Sequence, residues 1–361
     1  MHVGLSLTFQ NWAGALPDHE VWANEMRLTD RAIALGFDGI WATEHHFTDY
    51  EITPDPLQFL SWVAARDEAV GVGTMAVILP WHDPVRVAEQ IAVLDTLSGG
   101  RLILAIGRGL GRTEFEGLRV PMDESRERFI ESAQIVLEAL ETGVLRADGH
   151  HFQIPQRRLR PAPTRSFRGR TYAAALSPES FEIMARLRVG MLIIGVKDWE
   201  ITAQDMGRYR AAYHERNGGE TPPPPLANAF VVCDRDAGRA RELAERHMGN
   251  YWRMVVEHYG FTRDSFAATK GYEHYQRMSG EMAQDGPDRA VAQFVSTQVW
   301  GTPEHCLEKI AWLRELVGAE TFLPVFGYGG MGYEDLERSM SLFAAEVMPA
   351  LQAMPPLAVA V

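Results

Sequence analysis

Eight short β-like runs recur along this 361-residue chain, and their spacing constrains the fold more than any other feature. They are VGLSLTF (3–9), GIWA (39–42), VGTMAVIL (72–79), RLILAIG (101–107), TYAAAL (171–176), MLIIG (191–195), LANAFVVC (226–233) and TFLPVFG (321–327). Several are apolar without strict alternation, the pattern of parallel strands covered on both faces. Helical patterns lie between them. In 124–143, Phe129, Ile130, Ala133, Val136, Leu137 and Leu140 recur at helical spacing, as do Leu336, Met340, Phe343 and Val347 near the end. Asp83-Pro84 and Thr302-Pro303 read as helix caps with a first turn. This alternation predicts an α/β fold, a (β/α)8 TIM barrel with insertions, as a single domain over 1–361. A doubly wound sheet is the rival, but no phosphate-binding glycine fingerprint follows the first run.

The insertions are uneven. Residues 109–123 separate strand 4 from its helix, and the Pro- and Arg-rich 144–169 separates that helix from strand 5. The largest, 234–320, lies between strands 7 and 8 and contains several helical patterns and the polar segment GEMAQDGPDRAVAQ. A barrel places its strand-to-helix segments at the C-terminal mouth, so the first and last of these should surround the site.

Charge and cysteine usage narrow the partners. A net charge of −13 makes nucleic acid a poor one. Cys233 and Cys306 form neither a disulfide framework nor a zinc spacing. The start MHVGLSLTF lacks the features of a signal peptide, and no uncharged apolar run reaches about 18 residues. A cytoplasmic protein with no membrane contact is expected.

In a barrel the residues after strands 2 to 5 converge on one pocket. Strand 2 delivers Glu44, His45 and His46; strand 3 delivers Met75 to Pro80; strand 4 delivers Gly107, Arg108 and Gly109; strand 5 leads to Ser177 and Ser180. A guanidinium can grip a phosphate with a forked contact, and serines at a helix start add hydroxyl and N–H donors. Adjacent glycines let a flat ring or a phosphate approach the backbone. The set therefore suits a phosphate-bearing cofactor better than a metal, because neighbouring strand side chains point oppositely and no third ligand has motif spacing. The alternative for the histidines is a structural pair. Tyr251, Trp252, Tyr259 and Phe261, at helical spacing, read as core rather than as a substrate cage.

Five stretches taken together resemble the bacterial luciferase-like flavin monooxygenases, most closely the luciferase α-chain branch. They are EHHFTDY (44–50), VGTMAVILPWHDPVR (72–86), LDTLSGGRLILAIGRGLGRTEF (94–115), GTPEHCLEKI (301–310) and SLFAAEVMPAL (341–351). The resemblance implies a (β/α)8 barrel that binds FMN as FMNH2, supplied by a separate flavin reductase that consumes NAD(P)H. It implies a flavin C4a-(hydro)peroxide, formed with O2, that oxygenates an apolar aldehyde, ketone or natural-product intermediate, free or carrier-tethered. His45 matches the catalytic histidine, with Glu44 near the flavin ring. His46 matches a second histidine. Arg108, Ser177 and Ser180 match phosphate contacts, and Met75-Ala76 matches a non-proline cis peptide supporting the ring. A homodimer is also implied.

The departures bear on substrate. Gly107 stands where the α chain has a reactive thiol, Gly111 where it has an aromatic, and Leu176 where it has an acid. The two glycines suggest extra room beside the flavin. Phe47, Trp81 and Phe115, with His46 and Gly111, are the expected substrate wall. Residues 271–296, polar and glycine-containing, are the expected lid over a site that must exclude water. Neutral His45 is expected to accept or relay a proton. Two alternatives remain open: an F420-dependent hydride-transfer oxidoreductase on the same barrel, and a non-enzymatic flavin-binding relative.

Overall fold

The computed structural model describes residues 1–174, 177–261, 266 and 269–357. Its eight principal strands are β1 (His2–Leu7), β2 (Gly39–Ala42), β3 (Gly71–Thr74), β4 (Leu102–Gly107), β5 (Thr171–Ala174), β6 (Gly190–Ile194), β7 (Leu226–Cys233) and β8 (Thr321–Val325). Each pairs in parallel with the next, and β8 pairs in parallel with β1, which closes the barrel. The expected (β/α)8 architecture is therefore present. Closure pairs each of the eight principal strands on both sides, and helices shield the outer face.

The barrel interior explains several glycines. The Trp41 indole lies across the inside of β1 to β3, and a Cβ on Gly4 or Gly73 would overlap its ring. With Ala105, Tyr172, Leu192, Leu226 and Leu323 it forms a buried internal layer. The larger core lies between strands and helices. Phe129, Ala133, Val136 and Leu140 on helix Ser125–Thr142, and Leu336, Met340 and Phe343 on helix Tyr333–Glu346, bury the stripes their spacing predicted. Asp83 caps its helix by accepting from the Val85 and Arg86 N–H groups, at 2.8 and 3.3 Å.

Three segments depart from the regular strand–helix pattern. The strand expected over 72–79 ends at Thr74, where the Thr74 hydroxyl bonds both the N–H and the C=O of Ala105 in place of a backbone partner. A cis peptide joins Met75 to Ala76, and Val77–Ile78 resumes beside Ile106 and Gly107. Residues 144–169 are not wholly irregular: Val144–Asp148 and Gln153–Arg158 form an antiparallel hairpin whose tip is held by Glu131, which accepts from the His151 and Phe152 N–H groups. The expected lid, 271–296, is largely two helices, Glu273–Asp285 and Pro287–Thr297. Strand 5 is described only to Ala174, so Leu176 lies outside the described residues.

A second core sits over the barrel mouth. Helix Ala237–Tyr259 supplies Met248, Tyr251, Trp252 and Val255, which pack with Phe261, Phe266, Tyr272 and Phe294. No described helix is long and apolar enough to cross a membrane.

Candidate functional site

A cavity opens at the C-terminal mouth, with about 1590 Å³ of empty space including its opening to solvent. Glu44, His45, Met75, Ala76, Trp81, Gly107, Arg108 and Ser180 line it, as their places after β2 to β5 predicted. Ser177 stands behind Ser180, with their hydroxyl oxygens 2.8 Å apart at the start of helix Pro178–Leu187. Arg108 donates to the Gly271 carbonyl at 2.8 Å, and its guanidinium lies 4.1 Å from the centre of the Tyr272 ring. Arg126, which the sequence reading missed, also lines the cavity and donates to the same carbonyl at 3.0 Å. Its position on the amphipathic helix after strand 4 was the available signal.

The expected substrate wall is only partly in place. His46, Phe47, Gly111 and Phe115 are not among the residues lining the cavity. Phe47 is 63% exposed, with its ring over Gly117. Phe115 is buried behind Trp81, edge-on at 5.6 Å. His46 points its Nε2 to Glu44 at 3.2 Å. The walls instead include Val255 together with Tyr251, Trp252, Tyr259 and Phe261, the four aromatics whose spacing read as core. They are core and wall at once, because the insertion packs over the mouth and leaves the cavity between them.

The two glycines do not leave room. A Cβ on Gly107 would come within 2.7 Å of Ile78 Cδ1, and one on Gly111 would collide with the Glu114 carboxylate. Neighbouring side chains have taken the space that a larger residue would fill.

His45 sits in a dense charge network. Its Nδ1 lies 2.9 Å from Glu114 Oε1, and its Nε2 lies 3.8 Å from Glu51 Oε2. Glu114 also accepts from the His46 N–H at 3.0 Å. Burial works against a charged imidazole, but the carboxylates of Glu114, Glu51 and Glu44 outweigh it and hold the His45 pKa up at about 9. This surrounding favours the protonated imidazole over the neutral ring. Burial would raise Glu114, yet His45 and His258 hold it down at about 2. Burial, with the Glu114 charge, pushes Glu51 up to about 7 against the opposing pull of His45.

Glu44 has a different task. Its Oε2 accepts from the Ile78 N–H at 2.8 Å, while Oε1 meets His82 Nε2 at 2.6 Å. Burial would raise its pKa, but the bonds from His46, His82 and Ile78 hold it below the usual range. It thereby ties the segment after the Met75–Ala76 peptide to the end of β2. Glu114, Glu51 and His258 were not singled out from sequence, although Glu114 lies inside the LDTLSGGRLILAIGRGLGRTEF stretch. His45, Glu114 and His258 also present ligand atoms within 4.8 Å of one another, so a third potential metal ligand does exist.

The family model for luciferase-like monooxygenases matches residues 1–320, and the chain belongs to that family of enzymes. The chain is 27% identical over 326 residues to an alkanal monooxygenase alpha chain of Aliivibrio fischeri, covering 88% of this chain and 90% of that one. Its fold is similar to that of monooxygenase RslO1 from Streptomyces bottropensis, with a TM-score of 0.77, 24% identity, and coverage of 97% and 99%. It is also similar to the oxygenating constituent of 3,6-diketocamphane monooxygenase from Pseudomonas putida, a type II Baeyer-Villiger monooxygenase in complex with FMN. That match has a TM-score of 0.73, 18% identity, and coverage of 98% and 100%.

Proposed function

We propose that this enzyme uses reduced FMN and O2 to oxygenate an apolar aldehyde, ketone or natural-product intermediate in the mouth cavity. The observation that carries this reading is the pairing, in one cavity, of cationic and hydroxyl donors with a carboxylate-flanked imidazole under aromatic walls. The residues fit a phosphate-bearing flavin. In a chain of net charge −13, two guanidinium groups, Arg108 and Arg126, line a cavity that also meets Ser180, whose hydroxyl lies 2.8 Å from that of Ser177. Reduced FMN, when bound, supplies the electrons that activate O2.

The chain's own residues then have separate tasks. Arg108, Arg126, Ser177 and Ser180 hold the phosphate. Met75 and Ala76 back the ring, held through Ile78 by Glu44. His45 keeps a proton on its imidazole beside the reacting atoms, where Glu114 orients Nδ1. Tyr251, Trp252, Tyr259 and Phe261 exclude water and contact the apolar substrate. A separate NAD(P)H-dependent flavin reductase supplies the reduced cofactor, and 271–296 covers the site as a lid. We read the protein as a homodimer, because Val93 and Leu97 expose apolar side chains one turn apart on helix Pro84–Leu97.

Cofactor choice tests the reading. Anaerobic titration should show tight binding of reduced FMN, and admission of O2 with candidate substrates should give oxygenated product. Hydride transfer from reduced F420 without O2, with no response to FMN, would replace this reading by the deazaflavin one. Binding of FMN with no turnover across a broad substrate pool would favour a flavin-sequestering role.

A further inference from the structure

His45, Glu114 and His258 reach one point from the end of β2, the 109–123 insertion and the last turn of helix Ala237–Tyr259. His45 Nδ1 is 2.9 Å from Glu114 Oε1, and His258 Nε2 is 3.4 Å from Glu114 Oε2. The side chains of Glu114 and His258 are 0% and 2% exposed. Among the described residues, Glu114 Oε2 and His258 Nε2 have no partner other than this 3.4 Å approach to each other. A buried carboxylate oxygen and a buried imidazole nitrogen that share only one long contact are weakly satisfied for a folded protein. Around a four-coordinate ion with bonds of about 2.0–2.2 Å, adjacent ligand atoms stand about 3.3–3.6 Å apart. His258 Nε2 stands at that spacing from Glu114 Oε2, and the ligand atoms of all three side chains lie within 4.8 Å of one another.

The surroundings match the second layer that metal-binding histidines use, in which the other ring nitrogen meets a hydroxyl, carbonyl or carboxylate. His258 Nδ1 lies 3.0 Å from the Thr48 hydroxyl, and His45 Nε2 faces Glu51. Glu114, Glu51 and Glu44 concentrate acidic groups around one imidazole, a setting that suits a dication. We propose that His45, Glu114 and His258 form a binding site for a divalent transition-metal ion of the zinc class. Two imidazole nitrogens and one carboxylate suit Zn2+ or Co2+ and not Mg2+ or Ca2+, which take oxygen ligands. On binding, the ion displaces the proton between His45 Nδ1 and Glu114, and that proton leaves to solvent. If His45 serves the reaction proposed above, the ion inhibits it; this second part rests on that reading, whereas the binding does not.

The test uses the full chain freed of metal by a chelator and titrated with Co2+. The wild type should bind one ion per chain with the intense visible absorption of four-coordinate Co2+. His258→Ala should abolish that absorption. Thr48→Val, which leaves all three ligands in place, should weaken binding about 10–100-fold. Mg2+ should not compete, and Zn2+ should. Absence of the four-coordinate spectrum in the wild type, or a spectrum unchanged in both variants, would overturn the site. Oxygenation measured with and without Zn2+ tests the inhibition. Turnover unaffected at saturating Zn2+ would overturn the inhibition while leaving the site, and a chain with no turnover at all would count against the proposed function alone.

Discussion

Glu25 is a buried acid on the first α-helix whose Oε2 has no hydrogen-bond partner among the described residues. Burial, with a contribution from the Glu51 charge, raises its pKa from 4.5 to about 8. The folded state thus binds a proton that the unfolded chain releases near pH 4.5. Its stabilising contribution is complete below that pH and is lost as pH rises through about 8, at roughly 1.4 kcal/mol per unit between the two values. Glu25→Gln keeps the neutral shape without the titration. Urea unfolding should therefore show the variant gaining stability relative to wild type from pH 6 to pH 9; a constant difference would mean that Glu25 does not titrate there. Arg108 gives a second test at this scale. Loss of a charge-assisted phosphate contact costs about 1.5–3 kcal/mol. Arg108→Ala should weaken FMN by that amount and riboflavin, which has no phosphate, much less. Equal weakening of both would place Arg108 elsewhere. Residues such as Arg108 and His45 were legible because they end apolar runs. Glu25 and Glu51 were not, because only tertiary burial distinguishes them from surface acids.

At the scale of elements, regular strands were easier to read than their interruptions. The 72–79 run is apolar throughout, yet the Thr74 hydroxyl takes over the bonding to Ala105 and the strand stops there. Composition does not reveal that a side chain has replaced a ladder partner. The cover was similarly misread, since the face formed by Tyr251, Trp252, Val255 and Tyr259 is apolar whether it meets core or cavity. The segment 271–296 is anchored at its start, where the Tyr272 hydroxyl meets Ser125 Oγ at 2.9 Å and the Gly109 carbonyl at 3.1 Å. Its two helices meet at Gly286, whose φ of +84° and ψ of 156° suit glycine. Limited proteolysis should cut near Gly286 and leave the barrel folded, since a closed barrel does not depend on this segment for its core. The nicked protein should release more hydrogen peroxide and form less product per NADH consumed, because an open site admits water. Unchanged coupling after cleavage there would remove the lid role.

For the molecule as a whole, eight alternating runs were enough to indicate a closed barrel, because each parallel strand needs cover on both faces and each crossover needs a helix. The site was legible only in part. Its phosphate-contact candidates lie beside strand ends, whereas His258 comes from a distant insertion with no motif to mark it. The central claim is that the mouth cavity directs oxygen from O2 into an apolar substrate with electrons from reduced FMN. The most direct measurement is mass spectrometry of products formed under 18O2 from a pool of aldehydes and ketones, with FMN, NADH and a flavin reductase. The account predicts a product carrying one 18O atom, absent without FMN and strongly reduced in His45→Ala. A product whose added oxygen comes from water, or conversion that proceeds equally without O2, would contradict it.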